Sequence, residues 1–200
     1  MSTPANKTAI DRENENATVH IELVDSDPLI WRQVEVPTSL TLEILHEVIQ
    51  AAMGWFNYHL WEFTIGKQVY GLPSVDDDWR ATPLIDASEA RLRDVLKPRK
   101  TRIGYLYDFG DSWEHRLTVS NVRTGDPGRS YPRYVGGEYA APPEDCGGIP
   151  GFYNALEVLA DADHEDHSEI KEWFDTYDPN VIDEAAIKNA LSRIAKHHVS

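Results

Sequence analysis

Along this chain the spacing of apolar residues changes several times, and each change marks an element. Val19, Ile21 and Leu23 alternate with His20 and Glu22, and after Asp25-Ser26-Asp27-Pro28 the run Leu29 to Val36 follows. Strand-like runs separated by turn residues predict a β-hairpin. Pro37 ends the second strand, Thr41 is placed to cap a helix, and Leu42, Leu45, Ile49 and Ala52 share one helical face until Gly54 stops it. Tyr58 to Ile65 alternates again and turns at Gly66-Lys67 into Gln68-Val69-Tyr70, a second hairpin. Residues 71 to 88 carry Gly71, Pro73, three Asp at 76 to 78 and Pro83, the composition of a long surface loop. Ser88 is placed to cap a short helix over Glu89 to Leu96. Ile103, Tyr105, Tyr107 and Phe109 then alternate in a strand that stops at Gly110 and returns as Trp113 to Val119. After a loop from Gly125 to Gly151 the period becomes helical, with Phe152, Ala155, Leu156 and Leu159 in one helix, Ile170, Trp173 and Phe174 in a second, and Ile187, Leu191 and Ile194 in a third. Strands followed by a helical tail predict an α+β fold: antiparallel hairpins packed with a helix after the second strand, plus C-terminal helices.

Length confines this pattern to one domain, because 200 residues support one well-buried core and fall short of two. Residues 1 to 16 are polar, contain Pro4 and three Asn and have no hydrophobic period; they are expected to be a flexible tail ahead of a single domain over 17–198. The N-terminus lacks the basic start and apolar run of a signal peptide, and no apolar run approaches membrane-spanning length, so a cytoplasmic protein with no membrane partner is expected. One cysteine, Cys146, rules out an internal disulfide framework and a Cys-only zinc site.

Charge changes the picture further. Acidic residues outnumber basic ones 34 to 19, for a net charge of −15, which disfavours general nucleic-acid binding. Residues 141 to 184 hold 13 Asp and Glu against Lys171 alone, while residues 91 to 102 hold six basic residues against Asp94. The chain is therefore expected to be dipolar, and the basic segment, with Tyr105 and Tyr107 as stacking residues, is its best argument for nucleic-acid contact.

Candidate chemistry concentrates in two places. In Tyr107-Asp108-Phe109-Gly110-Asp111-Ser112-Trp113-Glu114-His115 a tight turn at Gly110 gathers Asp108, Asp111 and His115 at one hairpin end, where they are candidate ligands of a divalent metal ion; strand parity decides whether Asp108 and His115 share a face. The competing reading is that turn Asp residues cap their own backbone and the His is a satisfied half-buried ring. The second concentration is the loop from Tyr131 to Gly151, rigid in its prolines and two Gly-Gly pairs, with Glu144, Asp145 and Cys146 at its centre. Neighbouring carboxylates raise a thiol pKa, so Cys146 reads as a small buried hydrophobe rather than a nucleophile. Together with His46, His59 and Trp113 these residues make up a candidate pocket. His46 lies offset from the apolar face of the first helix and His59 edges the core, where structural roles are expected for both. His164 and His167, beside several Asp, read as a solvated helix start.

Several blocks taken together resemble the plasmid pRiA4b ORF-3-like family: Ile30-Trp31-Arg32-Gln33-Val34, Leu45 to Trp55, Tyr58-His59-Leu60-Trp61-Glu62-Phe63, Tyr107 to His115, and Pro142-Pro143-Glu144-Asp145-Cys146-Gly147-Gly148. The resemblance spans roughly residues 18 to 190. It implies an α+β fold, an origin in bacteria, archaea or plasmids, and a biochemical function that is unknown; some relatives carry mobile-element and resolvase-like labels. A serine resolvase needs an N-terminal nucleophilic Ser with supporting Arg residues and a basic helical tail, whereas this chain ends in acidic helices.

Three functions are therefore expected in order: a ligand- or partner-binding domain acting on a protein or small molecule, a metal-dependent hydrolase using an Asp/His(/Cys) site, and a nucleic-acid-contacting accessory protein. The second places Asp108, Asp111 and His115 around a divalent ion, with His59, Asp145 or Cys146 as further candidate ligands, and requires the hairpin and the Cys146 loop to meet in space.

Overall fold

The structure, a computed structural model, describes residues 14–73 and 83–198. Eight strands form one sheet: β1 (Glu15–Leu23), β2 (Trp31–Pro37), β3 (Trp61–Ile65), β4 (Gln68–Gly71), β5 (Leu84–Asp86), β6 (Thr101–Tyr107), β7 (Trp113–Thr124) and β8 (Arg133–Glu138). Their order is β5-β4-β3-β6-β7-β1-β2-β8, and every neighbouring pair is antiparallel except β4 with β5. Helices α1 (Leu42–Met53), α2 (Leu92–Val95), α3 (Gly148–Ala160), α4 (His167–Phe174) and α5 (Glu184–His198) complete the α+β architecture. None of the described helices is long and apolar enough to cross a membrane.

The alternation that predicts the strands also sets which face is buried. Val19, Ile21 and Leu23 of β1, Val34 and Val36 of β2, and Leu117 and Val119 of β7 are almost wholly shielded. Helix α1 starts where Thr41 accepts a hydrogen bond from the Ile44 amide and stops at Gly54, whose φ of 82° is the left-handed end that glycine favours. Its last turn receives an unusual partner. Arg32, 1% exposed, donates from Nε to the Ala52 carbonyl (3.0 Å) and from Nη1 to the Trp31 and Glu138 carbonyls (2.8 and 3.1 Å). A buried guanidinium thereby satisfies the orphan carbonyl at a helix C-terminus, where a positive charge is favoured.

Several expectations shift. Glu15 and Asn16, assigned to the tail, belong to β1, because Glu15 pairs with Thr124 and Asn16 with Arg123 and Pro37; residues 1–13 lie outside the described residues. The loop expected over 71 to 88 contains β5, paired with β4, while 74–82 lie outside the described residues. Ser88 caps no helix: its amide and hydroxyl both bond the Asp86 carboxylate, and α2 begins only at Leu92. The loop expected from Gly125 to Gly151 contains β8, which pairs with β2 across a register shift at Gln33/Val34. In α4, Phe174 is buried whereas Trp173 is 48% exposed, because neighbouring residues lie about 100° apart around a helix and only one of the two faces the core.

Candidate functional site

Five residues connect β6 to β7, and their backbone decides what the hairpin end can do. Tyr107 pairs with Trp113 and Tyr105 with His115, so these four side chains all face the core. Asp108 and Ser112 at either end of the turn adopt left-handed conformations, with φ of 57° and 56°. Asp108 consequently leaves the strand's alternation. Its Oδ1 accepts from the Gly110 amide at 2.9 Å, which fixes the carboxylate and leaves Oδ2 directed towards His59.

Structure and sequence expectation part company over the ligand set. Asp108, Asp111 and His115 are not brought together. His115 is fully buried, with Nδ1 on the Trp113 carbonyl (2.9 Å), and burial holds its pKa down to about 4, so it is a neutral core residue. The Asp111 carboxylate accepts from the Gly147 amide at 3.0 Å and thereby ties the turn to the Cys146 loop. Backbone geometry is the reason: His115 keeps its place on the core face of β7, while the left-handed conformation at Asp108 takes that carboxylate out of the strand alternation.

What converges instead is His59, Asp108 and Asp145, with one candidate ligand atom from each lying within 4.8 Å of the others; it is the one group of three or more metal-capable side chains among the described residues. His59 Nε2 stands 3.1 Å from Asp145 Oδ1 and 3.7 Å from Asp108 Oδ2. That nitrogen is sealed from solvent yet makes no hydrogen bond, since Asp108 Oδ2 is too distant and the closer Asp145 Oδ1 is not aligned for one. Asp145 reaches the cluster from a left-handed residue (φ 60°) and is the exposed member. The two sequence concentrations therefore do meet, and His59, for which the sequence offers a structural role or a place among the ligands, is their meeting point.

A second set of bonds clamps the loop in place. Tyr107 OH donates to Glu144 Oε1 at 2.5 Å and accepts from the Tyr58 amide at 3.0 Å, while Glu144 Oε2 accepts from the Phe56 amide at 2.8 Å. Trp55 Nε1 donates to the Pro142 carbonyl at 2.8 Å. Burial, and then the Glu144 carboxylate, raise the Tyr107 pKa, which keeps the phenol a donor. Gly148 (φ 68°) sits so close to the turn that an added Cβ would collide with the Asp111 carbonyl.

Behind the cluster lies a closed ring of hydrogen bonds. Gln50 Nε2 donates to Tyr105 OH (3.0 Å), Tyr105 OH to His46 Nδ1 (2.7 Å), His46 Nε2 to Asn57 Oδ1 (2.6 Å), and the Asn57 amide to Gln50 Oε1 (3.1 Å). This network assigns the His46 tautomer. His46 also stacks on Trp61 with ring centroids 4.1 Å apart, and burial lowers its pKa to about 4. It is buried and neutral rather than offset towards solvent. Ring, clamp and helix end hold residues 55–60 so that Phe56, Tyr58 and Leu60 are each about 70% exposed around His59. Beside them a cleft of about 330 Å³ is lined by His59, Asn57, Trp61, Leu60, Leu72 and Phe109, among others. Sequence reading missed this apolar rim; its one signal was three large apolar residues flanking His59 in alternation.

The remaining candidates have structural roles. Trp113 is fully buried. Cys146 is buried, and burial followed by the Asp111 charge pushes its thiol up to about 12, which leaves it protonated and unreactive at neutral pH. His164 accepts from the Asp166 amide at the start of α4.

A mostly antiparallel sheet of eight strands with five helices among the described residues makes this an α+β protein, and the β6–β7 hairpin end carries the carboxylate and histidine cluster. Comparison makes the assignment specific: the chain belongs to the plasmid pRiA4b ORF-3-like protein family, whose profile matches residues 15–186. It is 40% identical over 148 residues to the uncharacterized protein y4hQ of Sinorhizobium fredii, covering 74% of either chain. It is also similar to the crystal structure of MM3350, a protein of unknown function from Methanosarcina mazei Go1, with a TM-score of 0.78 and 31% identity over 86% of this chain and 96% of that one. The biochemical function of these relatives is unknown.

Proposed function

We propose that the protein is a cytoplasmic binding domain whose ligand pocket is organised by a divalent cation held by His59, Asp108 and Asp145. One observation carries this reading: His59 Nε2 is sealed from solvent and stands 3.1 and 3.7 Å from two carboxylate oxygens without a hydrogen bond to either. A buried polar atom without a partner costs about 1–3 kcal/mol, and a cation at that point would remove the cost. One imidazole and two carboxylates suit zinc or manganese, and three protein ligands leave coordination positions for water or a ligand oxygen. The Gly110 amide on Asp108 supplies the outer-shell orientation that such ligands require. Leu60, Leu72 and Phe109, which line the cleft beside His59, would take an apolar part of the ligand. Hydrolysis would need a further base. Glu144, on the same loop, is already committed to Tyr107 and Phe56, which favours binding over turnover.

Calorimetric titration of metal-free protein with Zn²⁺ and Mn²⁺ tests the reading. Stoichiometric binding is expected, weakened about a hundredfold in His59→Ala and in Asp145→Asn. The second variant is at the exposed ligand and leaves the fold intact. Wild-type protein that binds neither ion, or variants that bind as well as wild type, would overturn it.

A further inference from the structure

At the other end of β7 the molecule carries a second concavity, of about 940 Å³, and its chemistry is reversed. The twelve residues of β7, at about 3.3 Å each, put roughly 35 Å between Trp113 and Thr124. This groove gathers Arg91 and Arg93 from the start of α2, Arg129 from the turn after β7, and Lys196 and His198 from the last turn of α5; Asp126 is the only carboxylate among its described lining residues. In a chain of net charge −15 this is a local reversal of sign.

Most guanidinium donors here are uncommitted. Arg91 gives one Nη1 hydrogen to the Ser39 carbonyl (3.0 Å) and Arg129 gives its Nε hydrogen to Asp126 (3.1 Å), out of five donors each, and both side chains are exposed. Next to the groove, Glu35 lies between Arg123 and Arg133 at 2.6 and 2.7 Å, so that triad adds a net positive charge of one. Three features oppose an anion: the Asp126 carboxylate, Glu47, which stands 3.3 Å from His198 Nε2, and the partial negative charge of the α5 C-terminus, where Lys196 adds a positive charge.

Shape and field narrow the ligand. Reading nucleic-acid bases by stacking requires exposed aromatic faces. Tyr131, the aromatic lining residue, is 8% exposed, and Tyr105 and Tyr107, expected to stack, both face the core. A long polyanion would also meet the repulsion of the whole molecule, whereas a compact one feels chiefly the groove. Arginine forks match phosphate oxygens in a bidentate geometry.

We propose that this groove binds a compact polyanion of the di- or triphosphate class, with Arg91, Arg93 and Arg129 as its phosphate contacts. The test is calorimetry of the full chain with inorganic tripolyphosphate, citrate and a 20-base-pair DNA duplex as separate probes. Buffer free of divalent ions keeps the outcome independent of the His59 cluster. The expected result is saturable tripolyphosphate binding, weaker for citrate and for duplex. Affinity should fall about tenfold in Arg129→Gln and further in the triple Arg91→Gln/Arg93→Gln/Arg129→Gln variant, with Tm unchanged in the single variant. No saturable binding, equal affinity in Arg129→Gln, or preference for citrate or duplex would overturn the proposal.

Discussion

The two ends of β7 differ in how their side chains are held. From Trp113 to Val119 every second residue is buried, and the site at that end is assembled by groups that cannot move independently: a buried Tyr clamped to Glu144, a neutral His inside an aromatic cluster, and turn residues forced into left-handed conformations. From Asn121 to Thr124 every residue is exposed, and the groove at that end is a collection of long cationic side chains from three separate elements. Geometry does the selecting at the first end and the electrostatic field at the second. Packing can hold a histidine nitrogen between two carboxylates without a hydrogen bond; a screened surface cannot, and there only the summed charge discriminates among ligands.

Acid should therefore strike the first end hardest. His46 and His115 have folded-state pKa values near 4 against about 6.5 for the unfolded chain. A lowered folded pKa means that the unfolded state binds more protons between these values, so the stability present above pH 6.5 is lost as pH falls towards 4. At pH 4.5 each histidine should cost about 2.5 kcal/mol, so roughly 5 kcal/mol for the two, read as a fall in urea midpoint between pH 7 and 4.5. A midpoint that holds steady down to pH 4.5 would break the comparison, because it would mean that these rings are not buried neutral. Next in size, Gly148→Ala should cost about 3 kcal/mol, since the new Cβ meets the Asp111 carbonyl and the residue keeps a positive φ. Denaturation and metal titration should report the change together, while tripolyphosphate binding at the distant groove stays as it was. Smallest is Glu144→Gln, which trades an acceptor oxygen for an amide group that cannot accept from both Tyr107 OH and the Phe56 amide. A loss of about 1–2 kcal/mol is expected, with about tenfold weaker metal binding because the loop carrying Asp145 loosens. An unchanged metal affinity would show that the clamp does not position Asp145.

Much of the fold was legible because it rests on local patterns. Thr41 and Gly54 bound α1 as expected, and the β1–β2, β3–β4 and β6–β7 hairpins follow from alternation between turn residues. β8 was hidden by its composition: Arg133-Tyr134-Val135-Gly136-Gly137-Glu138 has two glycines and no alternation, and it becomes a strand because β2 offers it an edge. The residues of the candidate site are visible in the sequence, but their grouping only in part: Asp111 and His115 are expected beside Asp108, with His59, Asp145 or Cys146 as further ligands, and the structure keeps only Asp108, His59 and Asp145. His115 and Asp108 stand seven positions apart and were paired as ligands; the left-handed backbone at Asp108 takes it out of the strand register, and His59, nearly 50 residues earlier, takes the place His115 had been given. The basic segment 91 to 102 was legible as charge. Its tyrosines were misread as stacking platforms because alternation reports that a residue has a face and not which face is inside.

By itself, then, the sequence determined the α+β class, the first helix with both its ends, three hairpins, the family and the two loops where carboxylates and histidines accumulate. These follow from interactions between residues a few positions apart, whose energies are set by backbone preference and the period of apolar side chains. Tertiary structure alone decided that His59 joins Asp108 and Asp145, that His46 and His115 are neutral, and that Arg91, Arg129 and Lys196 meet in one groove. The His59 cluster and the groove join residues from 37 to more than 100 positions apart, and the two neutral histidines depend on burial by several elements at once; desolvation and Coulomb interaction act through space, where separation along the chain carries no information.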